Sequence, residues 1–101
     1  MRQAMNDSIQ WIWVFKGEKG TFPSGVFASR SSAIDWIKNR SLSGTLTRYP
    51  VGISVYDWAV DSGHFIPKTK AQQSPQFVGS FSSAYLEHYH FQSGIEVGEA
   101  Q

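Results

Sequence analysis

The chain contains no cysteine, which removes disulfides, thiolate metal sites and thiol nucleophiles together and fits a reducing compartment. It also lacks an excess of either charge. Nine Lys and Arg stand against eight Asp and Glu, a net of +1, so no strong field draws it to nucleic acid or an anionic membrane. No apolar run approaches the roughly 20 residues of a membrane helix, and Met1 to Ser8 lacks the apolar centre of a secretory signal. The expected location is therefore the cytoplasm, with no membrane partner. No segment is of low complexity and no internal repeat is present.

What is present is a generous supply of core-forming side chains. A hydrophobic fraction of 41%, with 15% aromatic, lets the chain offset its ordering entropy, and a length of 101 residues suits one core. The organisation expected is a single α+β domain over residues 9–95, with loose tails at 1–8 and 96–101.

Ile9 to Lys16 alternates with period two, placing Ile9, Trp11, Trp13 and Phe15 on one face and Ile12 and Val14 on the other. Apolar residues on both faces predict an inner strand. Gly17-Glu18-Lys19-Gly20 supplies a turn, and Ser24 to Ala28 a short returning strand. Ser29 can cap a helix running from about Arg30 to Arg40, where Ala33, Trp36, Ile37 and Arg40 share a face. After the break at Leu42-Ser43-Gly44, Thr45 to Tyr49 reads as a third strand. A right-handed crossover would set the second and third strands parallel.

Ser54 and Asp57 resemble a capping box that opens a short second helix, and Gly63 its stop. Lys68 to Pro75 reads as an exposed loop, and Gln76 to Phe81 and Tyr85 to Phe91 as two antiparallel strands joined near Ser82 and Ser83. The resulting expectation is a small mixed sheet of about five strands in the order β-β-α-β-α-β-β, with two short helices.

Several surfaces can carry chemistry or contacts. On a strand, His88 and His90 of Glu87-His88-Tyr89-His90 point to one side, where two imidazoles can share a metal ion and His64, the remaining histidine, can add a third ligand. The same pair can act as acid and base, with Asp57 and Asp61 as nearby carboxylates. The competing reading puts Tyr85, Tyr89 and Phe91 in the core and leaves both histidines solvated. Trp11, Trp13 and Phe15 on one strand face resemble a stacking platform for single-stranded nucleic acid, but the basic surround is missing. Phe22, beside Pro23, is expected to fold back and clamp the hairpin, or else to meet a partner. Trp58 is a further interface candidate because aromatic residues are enriched at binding hot spots. No complete catalytic set and no cofactor motif appears.

Taken in order, the runs Trp11-Ile12-Trp13-Val14-Phe15, Phe22-Pro23-Ser24-Gly25-Val26-Phe27, Leu42-Ser43-Gly44-Thr45-Leu46-Thr47, Tyr49-Pro50, Val55-Tyr56-Asp57-Trp58-Ala59, Phe81-Ser82-Ser83-Ala84 and Glu87-His88-Tyr89-His90 resemble a family of small bacterial proteins known only as a domain of unknown function. The resemblance covers about residues 11–94 and implies a stand-alone bacterial domain without assigning any residue a role. The expectation for function is a non-enzymatic binding or regulatory domain that contacts another protein. Its surface candidates are Trp11, Trp13, Phe22, Trp58, His64, His88 and His90. The alternatives are a metal-dependent or acid/base enzyme using His88 and His90, and a weak nucleic-acid binder.

Overall fold

The structure, a computed structural model, describes residues 9–98. The expected tail 1–8 and the last three residues of the expected tail 96–101 lie outside the described residues. Contacts divide the chain into two compact units, one of Trp11–Tyr49 with Leu86 onward, the other centred on Pro50–Tyr85.

The first unit is a five-stranded sheet with one helix. Strand β1 (Gln10–Gly17) turns through Gly17 and Gly20, joined by a 3.0 Å backbone hydrogen bond, into β2 (Gly25–Phe27). The two pair antiparallel, with Val14 opposite Val26. Helix α1 (Arg30–Asn39) starts where Ser29 accepts from the Ser32 amide. It ends in a Schellman cap in which Ser41 takes the left-handed conformation at φ 53°. The Ser41 and Leu42 amides bond the Lys38 and Ile37 carbonyls at 3.1 and 3.0 Å.

Strand β3 (Gly44–Val51) pairs with β4 (His88–Gln92), which pairs with β5 (Ile95–Val97), giving the order β2-β1-β3-β4-β5. The start of β3 lies against the end of β1, the Glu18 amide bonding the Ser43 carbonyl at 3.0 Å, as antiparallel strands require. Strands β2 and β3 therefore run the same way, as the crossover rule predicts, but β1 lies between them. The sheet is antiparallel rather than mixed.

Ala33 and Ile37 of α1 are fully buried and pack on Trp13, Phe15, Leu46 and Phe91 from three strands, with Trp36, Phe27, Ile34, Leu42 and Tyr89 around them. Phe15 meets Trp36 edge to face at 5.5 Å between ring centres, an arrangement worth about 0.5–1.5 kcal/mol beyond area burial. The helix covers one sheet face because its apolar side chains recur at i, i+3 and i+4.

In the second unit, α2 (Val55–Asp61) begins where Ser54 accepts from the Asp57 amide at 3.0 Å. It ends in a second Schellman cap, where Gly63 sits at φ 80° and the His64 amide bonds the Ala59 carbonyl at 2.8 Å. A 3-10 turn (Ala71–Gln73) leads into α3 (Pro75–Gly79).

Two expectations fail in this part of the chain. Gln76 to Phe81 is not a strand. Ser74 accepts from the Phe77 amide at 3.1 Å and Pro75 occupies the first turn, both helix-start signals. The spacing of Phe77 and Phe81 that reads as period two is equally an i, i+4 pair. Tyr85 to Phe91 is strand only from His88, and its partners are β3 and β5. Four rings, Tyr56, Phe65, Phe77 and Phe81, form the aromatic centre of this unit, with centres 5.0–6.2 Å apart. The Tyr56 hydroxyl donates to the Gln72 carbonyl at 2.8 Å.

Strand β5 carries Ile95, Glu96 and Val97 into the sheet. Ser93 and Gly94 form the two-residue turn before it, both at positive φ (51° and 86°), the geometry that matches strand twist.

Candidate functional site

Alternation along the strands divides the sheet residues between two faces. Trp13, Phe15, Leu46 and Phe91 lie under α1. The residues between them therefore belong to the other face. By the pairings Val14 opposite Val26, Thr45 opposite His90, Thr47 opposite His88 and His90 opposite Val97, that face is a band of valine, threonine and histidine. Val26 is 64% exposed, Ile95 68% and Val97 39%.

His88 and His90 sit on this face together, ring centres 5.4 Å apart and nearly perpendicular at 82°. His88 Nδ1 lies 2.7 Å from the Leu86 carbonyl oxygen. A carbonyl only accepts, so Nδ1 carries the proton and the neutral ring presents its lone pair at Nε2. His90 Nδ1 lies 3.2 Å from Thr45 Oγ1. Both imidazoles are thus held by Nδ1, His88 by the Leu86 carbonyl just before β4 and His90 by Thr45 of β3, and both Nε2 atoms are left free of those contacts. Glu87 is on the opposite side, where it accepts from the Tyr89 hydroxyl and lies 3.8 Å from an Arg48 nitrogen.

The rim of the α1 face carries charge. Arg48 stacks over the Trp11 ring at 4.4 Å and Arg30 over the Tyr89 ring at 4.3 Å, and Arg30 also pairs with Glu96 at 3.6 Å. Glu87 raises the pKa of Tyr89, chiefly because its carboxylate accepts the phenol proton in a hydrogen bond, with burial adding to the effect. Each of these exposed ion pairs is worth about 0–1 kcal/mol.

In the other unit, His64 stacks on Tyr85 with centres 4.1 Å apart and planes 10° from parallel, and lies 5.2 Å from the Trp58 ring. Tyr85 is 66% exposed rather than part of the core. A cleft of about 350 Å³ opens beside this stack, lined by Gly63, His64, Phe65, Ile66, Lys68 and Gln72.

The candidates read from the sequence therefore separate. His88 and His90 come together, as do Trp58 and His64, and Trp11 meets Arg48. Trp13 and Phe15 are buried under α1 and offer no ring face to a nucleotide base. Phe22 does not clamp the hairpin, since it is 76% exposed. Asp57 and Asp61 lie on exposed turns of α2. Among the described residues, no three His, Asp or Glu side chains gather to hold a metal ion, so His64 does not complete a set with His88 and His90. Thr45 and Arg48 escaped the sequence reading because each acquires its partner across strands more than 35 residues apart in the chain.

Residues 12–97, from β1 through β5, match the family model described as Domain of unknown function (DUF7710). The chain belongs to this family. The DUF7710 match thus reaches all five strands, leaving out only Gln10 and Trp11 at the start of β1, and it includes His88 and His90. Comparison with curated proteins and with solved structures gives no match. No helix among the described residues is long and apolar enough to cross a membrane.

Proposed function

We propose that this DUF7710 chain is a small non-enzymatic binding domain that acts by protein–protein contact, using the sheet face opposite α1. One observation carries the reading. Val26, Ile95 and Val97 stand exposed on that single face, on the two edge strands, flanking the Thr45 and His90 pair. Exposed apolar side chains scattered singly are ordinary, whereas several on one face mark an interaction surface. Threonine and histidine between them supply hydrogen bonds in the manner of mixed interface cores. The proposed setting is the bacterial cytoplasm, in keeping with a chain free of cysteine.

The test is affinity capture from a native lysate with the wild-type chain and with an Ile95→Glu, Val26→Glu variant, alongside circular dichroism of both. A protein retained by the wild type and lost by the folded variant supports the reading. Equal retention by both refutes it. If the retained material is nucleic acid, and retention falls steeply with salt, the protein-contact reading also fails.

A further inference from the structure

We propose that His88 and His90 form a two-histidine binding site for a divalent transition-metal ion, coordinated through the Nε2 atoms and completed by water. The inference does not depend on the protein contact proposed above.

Three features carry it. The first is the tautomer. The 2.7 Å contact from His88 Nδ1 to the Leu86 carbonyl leaves Nε2 as the basic nitrogen. When His90 Nε2 takes a metal, its Nδ1–H donates to Thr45 Oγ1, 3.2 Å away. A ring N–H held by a carbonyl or hydroxyl is the support that metal-bound histidines use to fix ring orientation and raise basicity.

The second is distance. A metal about 2.0–2.1 Å from each nitrogen lies about 3.2 Å from each ring centre, so a tetrahedral angle sets the centres about 5.2 Å apart. The observed separation is 5.4 Å. The separation therefore suits one shared ion, toward which the side chains turn both nitrogens on coordination.

The third is rigidity and access. Both histidines are paired with β3, at Thr47 and Thr45, and His90 is paired with Val97 of β5 as well, so the sheet sets the spacing of the two Cα positions. His90 is exposed and His88 half-buried, which admits an ion with its waters. Two imidazoles select borderline ions, Cu²⁺ ahead of Ni²⁺ and Zn²⁺, over oxygen-seeking Mg²⁺ and Ca²⁺. With no third protein donor gathered among the described residues, the remaining positions stay open.

The experiment is isothermal titration of the untagged full chain with ZnCl₂ and with NiCl₂, paired with ¹⁵N-edited NMR of the imidazole nitrogens. The result expected is saturable one-to-one binding below about 1 mM, with the signals of both Nε2 atoms shifted. His90→Ala, at an exposed position, weakens binding at least tenfold, while His64→Ala leaves it unchanged. Thr45→Val, which keeps both ligands, weakens it by a smaller factor through loss of the ring support. Absence of saturable binding, equal affinity in His90→Ala, or loss in His64→Ala overturns the proposal. Because Ile95→Glu, Val26→Glu keeps both histidines, its capture result and the metal titration fail independently.

Discussion

Consider replacing Gly44, the first residue of β3, with alanine. The added Cβ would press on the Lys16 carbonyl oxygen, 2.7 Å from Phe15 Cζ and 2.8 Å from Gly17 Cα. Two of these obstacles are backbone of the adjoining strand, and Phe15 is fixed in the core. No side-chain rotation relieves the clash. Strands β1 and β3 must move apart, against hydrogen bonds that set neighbouring strands about 4.8 Å from each other. Overpacking a core costs about 1–3 kcal/mol, and more where backbone must shift, so the expected loss is about 3 kcal/mol. That is a large part of the roughly 5–15 kcal/mol that holds a domain of this size folded. At about 4–8 °C per kcal/mol, Tm falls by roughly 12–24 °C.

Gly17→Ala is the matched control. The same unfolded-chain freedom is removed, but the nearest neighbour to its Cβ is the Ser43 carbonyl at 3.8 Å, an ordinary contact. It should be neutral or stabilising by up to about 1 kcal/mol. Urea unfolding of the three proteins, followed by circular dichroism, measures the difference. Gly44→Ala within about 0.5 kcal/mol of wild type, at an unchanged denaturant slope, would refute the packing described for β1 and β3.

Ser41→Gly relieves a left-handed serine at φ 53° in the α1 cap and should raise stability by about 0.5–1 kcal/mol, read from the urea midpoint. Tyr89 holds its proton more tightly when folded, because Glu87 accepts it. Its contribution to stability is therefore complete below the unfolded phenol value of about 10 and is lost as pH climbs through the higher folded value. Tyr89→Phe should flatten that alkaline decline in unfolding free energy, and one late-titrating phenol should vanish from the absorbance titration near 295 nm. Identical alkaline profiles for the two proteins would contradict the Tyr89–Glu87 bond.

Elements whose signals are local were legible in the residues alone. Period-two alternation located β1, the i, i+3, i+4 series with Ser29 located α1, and Ser54 with Gly63 bracketed α2. Backbone hydrogen bonds at caps and turns involve neighbours in the chain, so a few residues suffice to specify them. The pairing of His88 and His90 on one side of β4 followed for the same reason. Where two local patterns coincide, as at Phe77 and Phe81, spacing alone cannot choose, and the Ser74-Pro75 start decides for helix. The Ser93-Gly94 turn carries a recognisable dipeptide signal, but it matters only because β4 is there to receive β5.

Tertiary structure alone decided the rest. It inserted β1 between β2 and β3, making the sheet antiparallel, and it chose which aromatic rings α1 covers, burying Trp13 while leaving Phe22 and Tyr85 in solvent. It brought Thr45 to His90, Arg48 to Trp11 and the Lys16 carbonyl to Gly44. These contacts join residues distant in the chain, and they form because burying apolar surface favours one arrangement of the whole sheet. Strand periodicity says which way a side chain points; what it meets there depends on which strand lies alongside.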